Sequence, residues 1–288
     1  PLFDIQLVGK QKGHIQLDEM VWVECNKTID EANDLDVLLI PAVQNHLLMQ
    51  AVEDNAHFVP WLQKIHAKNV ELGSLCIGAF VLASSGLLDG KKCSTHWSAA
   101  ELFNQMFPKV ELIPQYTITD YNGIYTSGGA FSFQNLILYL VEKYQGKEIA
   151  IWLAKMLVAD MNKPSQLPFT IFNGVHHHDD AAILKAQKHI EEQFATIGNV
   201  GDIADQVLVP QRTFVRRFKK ATHNTPIGYL QKVRIEATKK QLENSNKTVN
   251  EIMYDVGYSD IKSFRNLFKK HTGLSPQAYR KKFSIYMN

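Results

Sequence analysis

At 288 residues, 45% hydrophobic and 21% charged, the chain is long enough for two cores and has the composition of an ordinary water-soluble protein. No stretch approaches the ~18 consecutive apolar residues of a membrane span, no charged-then-apolar leader opens the sequence, and Cys25, Cys76 and Cys93 are too few and scattered for a disulfide framework or a paired metal site. A reducing cytoplasm, no membrane partner and no metal or other cofactor are the expectations. The net charge of +2 hides an asymmetry: residues 181–288 hold 19 Lys+Arg against 9 Asp+Glu, and residues 1–180 hold 12 against 20. An acidic body joined to a segment of balance +10 suits a polyanion-binding module, although a solvated basic surface would carry the same charge.

In chain order, residues 1 to about 160 alternate short β-branched runs with longer amphipathic ones. FDIQLVG (3–9), VWVE (21–24), DVLLI (36–40), VELGSL (70–75), VELI (110–113) and GIYTS (123–127) read as strands. Residues 44–67, 77–87, 98–107, 130–144 and 147–160 read as helices. The alternation predicts an α/β layer with a largely parallel sheet. Because the first residues already read as a strand, either the sheet opens there or an earlier segment precedes Pro1. KPSQLP (163–168) and the polar FNGVHHHDD (172–180) then interrupt the pattern. They divide the chain into a domain at 1–163, a linker at 164–182 and an all-helical domain at 183–288. HHHDD (176–180) superficially suggests a metal site, but consecutive residues cannot easily all face one ion, so a solvated linker is expected.

The helical part contains a repeat at an offset of fifty. FVRRFKKATHNTPIGY (214–229) lies over FRNLFKKHTGLSPQAY (264–279), and IADQV (203–207) lies over IMYDV (252–256) at an offset of forty-nine. Each copy reads as a short helix, a tight connection and a basic second helix, the helix-turn-helix pattern. Gly257 stands where the second turn needs a positive φ, and Asp260 can cap the helix that follows. Leu208, Val209 and Pro210 signal the first turn less well, although proline suits a first helical position. Phe214 and Phe218, and Ile261, Phe264, Leu267 and Phe268, point to the core. Arg212, Val215, Arg216 and Lys219, then Lys262, Arg265, Asn266 and Lys269, form the outer faces. Arginine can pair with the O6/N7 edge of guanine, and asparagine with the N6/N7 edge of adenine. Residues 226–242 read as one connecting helix of about 26 Å, long enough to hold two reading helices about one duplex turn apart. On that helix Arg234, Lys239 and Lys240 are expected at phosphates.

With RTFVRRFKK, PIGYLQKVRIEA and GYSDIKSFRNLFKKHTGLSPQAYRKKF in view, residues 185–283 resemble the AraC family DNA-binding domain. The resemblance implies seven helices and base-facing positions at Arg212, Val215, Arg216, Lys262, Arg265 and Asn266. Valine at 215 and isoleucine at 261 depart from more polar residues in some members, so no base preference carries over.

GSLCIGAFVLASSGLL (73–88) reads as a strand, a sharp turn bearing Cys76 and a helix start, the pattern of a nucleophile elbow. A helix end there could lower the thiol pKa. With LLDGKKCSTHW (87–97) and NGIYTSGG (122–129), residues 1–160 resemble the PfpI and class I glutamine amidotransferase-like superfamily, in particular the subgroup fused to AraC domains. This implies a flavodoxin-like three-layer sandwich. Working enzymes need a base beside the cysteine and oxyanion donors. Here Ile77 follows Cys76, Ala42-Val43 replaces the usual glycine pair, and the acidic residue of the first strand would lie before residue 1. No catalytic residue is therefore expected, and Cys76, Ile77, His96 and Trp97 are expected around an effector pocket. The reading is a promoter-binding transcription regulator with an N-terminal module for an unidentified small effector and for homodimerisation, and RNA polymerase as a further partner by resemblance. The rival reading is a cysteine-dependent hydrolase or amidotransferase tethered to DNA.

Overall fold

The computed structural model describes residues 2–18, 20–43, 48–161, 165–176 and 178–286. The chain forms two compact units, Pro1–Gln166 and Leu167–Asn288.

In the first unit, β1 (Val8–Gly9) pairs in parallel with β4 (Lys27–Thr28), and β2 (Gly13–Asp18) forms an antiparallel hairpin with β3 (Val21–Cys25). The central sheet contains β5 (Val37–Ile40), β6 (Glu71–Ser74), β9 (Ile118–Tyr121) and β10 (Ile124–Ser127) in the order β5-β6-β10-β9. The first three are parallel and β9 is an antiparallel edge. A separate parallel pair is β7 (Lys92–Cys93) with β8 (Glu111–Leu112). The helices are α1 (Leu48–Asp54), α2 (Val59–His66), α3 (Ala79–Ser84), α4 (Ala100–Met106), α5 (Ser132–Gln145) and α6 (Lys147–Met156).

Strand alternation gives the sheet two buried faces. Ile40, Leu72 and Ile124 join Phe80, Leu82 and Phe103 of α3 and α4 in one core. Their sequence neighbours Leu39 and Tyr125 turn the other way and pack with Leu136 and Leu140 of α5. The result is a three-layer, flavodoxin-like α/β domain. Several expectations change. The run at 3–9 is paired only at Val8 and Gly9, and Ile5 is 79% exposed, because its neighbour β4 is only two residues long. Besides β2, β4 and β7, which have no counterpart among the expected runs, the structure adds β9. Its signal was Asn122-Gly123, both at positive φ (49° and 81°), which suits a two-residue hairpin turn.

The second unit holds α7 (Ala181–Gln193), α8 (Val200–Gln206), α9 (Gln211–Thr222), α10 (Pro226–Asn244), α11 (Val249–Asp255), α12 (Ile261–Thr272) and α13 (Pro276–Phe283). The segment before α7 is not a solvated linker. Gln187 of α7 donates to the Val175 carbonyl at 2.5 Å, and His178 bonds the other end of the same side chain at 2.7 Å. Asp180 caps α7 through the Ile183 amide at 3.3 Å. Polar side chains in this segment serve as helix caps and buried partners, which their composition alone does not reveal. His177 lies outside the described residues. No helix among the described residues is long and apolar enough to cross a membrane.

Candidate nucleic-acid interface

The sequence repeat is also a repeat of local geometry. Asn199 and Asp202 form a capping box at the start of α8, and Thr248 with Glu251 form one at the start of α11. The turns follow at Leu208 (φ 54°) and Gly257 (φ 83°). A Cβ at Gly257 would overlap the Ala195 carbonyl oxygen, so this turn needs glycine for space as well as for conformation. Asp260 caps α12 through the Ser263 amide at 2.7 Å. Pro210 stands one place before α9, at its cap, rather than in its first helical position.

The second helices are locked by matched contacts. Phe214 and Phe218 in α9, and Phe264 and Phe268 in α12, are fully buried in two separate cores. Each such ring contributes about 1.5–3 kcal/mol of burial. Thr222 and Thr272 each donate to the carbonyl four residues back at 2.8 Å and accept from the amide two residues on at 3.2 Å. Tyr229 and Tyr279 donate to Glu191 and Glu243 at 2.5 and 2.7 Å. The buried phenylalanines, with Tyr229 packed on Phe218 and Tyr279 on Phe268, fix the rotation of α9 and α12 about their axes and hence the side each turns outward.

On those outward sides Arg212, Arg216 and Lys219 of α9 and Lys262, Arg265, Asn266 and Lys269 of α12 are all exposed. Val215 is not part of this group: it is half-buried against the core of the first copy. Two further expectations are corrected on α10, which runs nineteen residues, about 28 Å. Arg234 is 8% exposed. It donates to the Phe194 and Ile197 carbonyls at 2.9 and 2.8 Å and lies over the Tyr258 ring at 5.0 Å. Lys239 is 3% exposed, donates to the Thr170 carbonyl at 2.7 Å and pairs with Glu236. Both charges satisfy groups inside the unit, so neither is free for a phosphate; Lys240 remains exposed. Arg217, not among the expected residues, holds Asp180 bidentately at 2.9 and 2.6 Å and so ties α9 to the cap of α7. No sequence signal pointed there, because position 267 of the other copy is leucine.

In the first unit the elbow is formed. Cys76 follows β6 with a strained φ of 54°, and Gly78 approaches Ile40 and Pro41 too closely for a side chain. The Cys76 amide donates to Ser127 at 3.2 Å, and Thr95 donates to the Cys76 carbonyl at 3.1 Å. The segments at 76, 95 and 127 therefore meet, and His96, half-buried like Trp97, lies near Gly129. Ile77 instead points down into the core at 6% exposure, so it does not line a pocket. Burial pushes the Cys76 thiol up, only partly offset by a hydrogen bond at Ile77, so the helix end does not make a thiolate. Burial also lowers the His96 pKa, and its Nδ1 accepts from the Ser98 amide at 3.2 Å.

Gln166, unmarked in the sequence, enters the same region. Its carbonyl accepts from the Gly129 amide at 2.6 Å and its amide donates to the Thr95, Pro114 and Tyr116 carbonyls. The Gly128-Gly129 pair was the available signal: a Cβ at Gly128 would overlap that carboxamide. A cavity of about 510 Å³ lies elsewhere, beside the starts of β5 and β6, with Asp30, Asp34, Trp61 and Lys64 in its wall. Among the described residues no group of three or more His, Cys, Asp or Glu is arranged to hold a metal.

Two family models match this architecture: the DJ-1/PfpI family over residues 3–143, and a helix-turn-helix domain over residues 203–282. The chain joins a DJ-1/PfpI domain to an AraC-type helix-turn-helix domain. Similar proteins include the HTH-type transcriptional regulators CdhR and GbdR of Pseudomonas aeruginosa. CdhR is 24% identical over 77% of this chain and 66% of its own length, and GbdR is 25% identical over 77% and 60%. The chain thus spans just under two thirds of these two relatives. Among solved structures, DJ-1beta of Drosophila melanogaster is 19% identical with a TM-score of 0.43, covering 49% of this chain and 74% of its own. In the AraC-type domain the seven helices expected from the resemblance are present among the described residues.

Proposed function

We propose that the protein is a sequence-specific, double-stranded DNA-binding transcription regulator whose AraC-type domain reads two successive major-groove segments. The observation that carries this reading is the pair of exposed basic faces, Arg212/Arg216/Lys219 and Lys262/Arg265/Asn266/Lys269, on helices locked in matching ways. Arg212, Arg216, Lys262, Arg265 and Asn266 contact base edges, while Lys219, Lys240 and Lys269 set register on phosphates. The names of CdhR and GbdR, both HTH-type transcriptional regulators, support the same class. Promoter DNA and a cytoplasmic location go with this reading.

The DJ-1/PfpI domain receives a small effector around Cys76, His96 and Trp97 and pairs two chains as a homodimer. RNA polymerase is the further partner at the promoter. An effector acts only if it binds one arrangement of the protein better than another. Turnover is not part of the proposal: Ile77 follows the cysteine, the thiol is held protonated, and an imidazole nitrogen of His96 is occupied by Ser98.

The test is to sequence genomic fragments that co-purify with the full chain and then compete the enriched sites against random DNA at physiological salt. Two conserved blocks one helical turn apart, preferred about 10³-fold or more, are expected. Uniform recovery of fragments, with no preference in competition, would overturn the reading.

A further inference from the structure

We infer that the segment Leu167–Val175 is a strap holding the two helix-turn-helix copies at a fixed angle, and that Phe169 and Phe172 are the positioning residues through which it sets the spacing of the DNA blocks the chain accepts. This rests on the DNA reading above and adds to it a determinant of operator spacing.

The strap touches both copies. One turn of 3-10 helix, Leu167–Phe169, packs on α12, and Leu167 and Pro168 lie beside Gly273, which ends that helix. The Phe169 ring meets Phe283 of α13 edge-on at 5.8 Å, and Lys282 lies over it at 4.7 Å. Phe283 packs on the core of the second copy. Further along, Phe172 packs on the core of the first. Its ring meets Tyr229 edge-on at 5.0 Å, and Lys232 lies over it at 5.3 Å. Between the two rings the Thr170 carbonyl accepts from Lys239 of α10. Gly174 then passes too close to the Tyr229 hydroxyl for a side chain, and the Val175 carbonyl accepts from Gln187 of α7.

Its place on α10 gives the strap a role that the shared helix alone cannot fill. Another bridge between the copies is Arg234, which joins the Phe194 and Ile197 carbonyls beside the first core to the Tyr258 ring beside the second. At about 100° per residue, Tyr229, Lys232 and Lys239 project roughly 140–220° round α10 from Arg234. The strap and Arg234 therefore clamp the copies from opposite sides of that helix. One bridge alone would leave a hinge about which each copy could rock, whereas two on opposite sides resist rocking either way. Rigidity matters because one base pair inserted between two blocks turns the second by about 35° and shifts it about 3.4 Å.

Two variants of the full chain test this. Phe172→Ala removes one anchor, while two glycines inserted after the exposed Ile171 keep every anchor and add slack. Competition binding uses the two-block duplex that the chain selects, the same duplex with one base pair inserted between the blocks, and a single-block duplex. That inserted base pair is expected to weaken the wild type about 30-fold or more, because one copy gives up its base contacts. In both variants it should cost about tenfold less, with single-block affinity unchanged. A merely structural role would instead lower single-block and two-block binding alike. Spin labels at the exposed positions 220 and 270, the matching ends of α9 and α12, read the strap without DNA. They are attached through a ketone-bearing residue, so the cysteines stay native. One narrow distance is expected in the wild type and a broadened distribution in both variants. An inserted chain that keeps the narrow distance, or the full spacing penalty, would overturn the proposal. Broadening in the variants of a chain that selects no two-block motif would sink the DNA reading and leave the strap standing.

Discussion

Replacing Arg234 by alanine separates two roles that its sequence position leaves open. A phosphate contact would make Arg234→Ala weaken every DNA sequence alike, lower the salt slope by about one and leave folding untouched. The structure predicts the opposite. The guanidinium makes two hydrogen bonds, to the Phe194 and Ile197 carbonyls, and lies over the Tyr258 ring. Hydrogen bonds from a charged donor contribute about 1.5–3 kcal/mol each, and the ring contact about 0.5–2 kcal/mol. These terms overlap, and water can reach part of the space left behind, so a loss of about 3–5 kcal/mol is expected. For a unit of this size, that lowers Tm by at least about 12 °C. Arg234→Lys keeps the charge but not the fork and should fall between the two. Thermal melts followed by far-ultraviolet circular dichroism, with DNA titrations at several salt concentrations, provide the readout. An unchanged melt with a salt slope reduced by about one would refute the reasoning.

The same geometry sets further outcomes. Arg216→Ala should cost about 1–3 kcal/mol of DNA affinity and relax choice at one operator position, read by competition with base-substituted sites. Gly257→Ala should destabilise the helical unit by about 2–4 kcal/mol in urea unfolding, since it combines positive φ with overlap at Ala195. Leu208→Gly, at the matching but 91% exposed turn, should be neutral or stabilise by up to about 1 kcal/mol. Burial raises the Cys76 thiol and pushes Cys93 up to about 12. A raised thiol holds its proton more tightly when folded, so its contribution is complete below the unfolded thiol range, near pH 8.5, and is lost as pH rises towards 12. Near-ultraviolet circular dichroism across that window should show the loss, and Cys93→Ala should flatten it. Iodoacetamide should label the half-buried Cys76 slowly at neutral pH, and fast labelling there would contradict a thiol pKa raised by desolvation.

Much of the second unit was legible because its signals are local. A cap, a positive-φ turn and an i,i+4 pair of phenylalanines each act within one or two helical turns. Repeating them fifty residues apart made the pattern specific. The exposed faces of α9 and α12 followed from the period of the buried ones. The first unit was legible where apolar runs were long, as at 36–40 and 70–75. It was less so where pairing was decided by a partner strand, as at 3–9 and in β9. Val215 and Ile77 were misplaced because an apolar side chain at the rim of a helix or beneath a turn follows whatever core lies nearest.

From its residues alone, the chain determined its division into an acidic α/β part and a basic helical part, the duplicated reading unit, and the elbow at Cys76. Helix period, turn chemistry and charge act over short distances and need no knowledge of what packs where. Only the tertiary structure decided which charges are free. Arg216 and Arg234 are both arginines within helices, yet one meets solvent and the other meets backbone carbonyls some forty residues earlier in the chain. A buried cation is set by the unpaired oxygens that folding brings to it. Those come from distant segments, and no local pattern announces them.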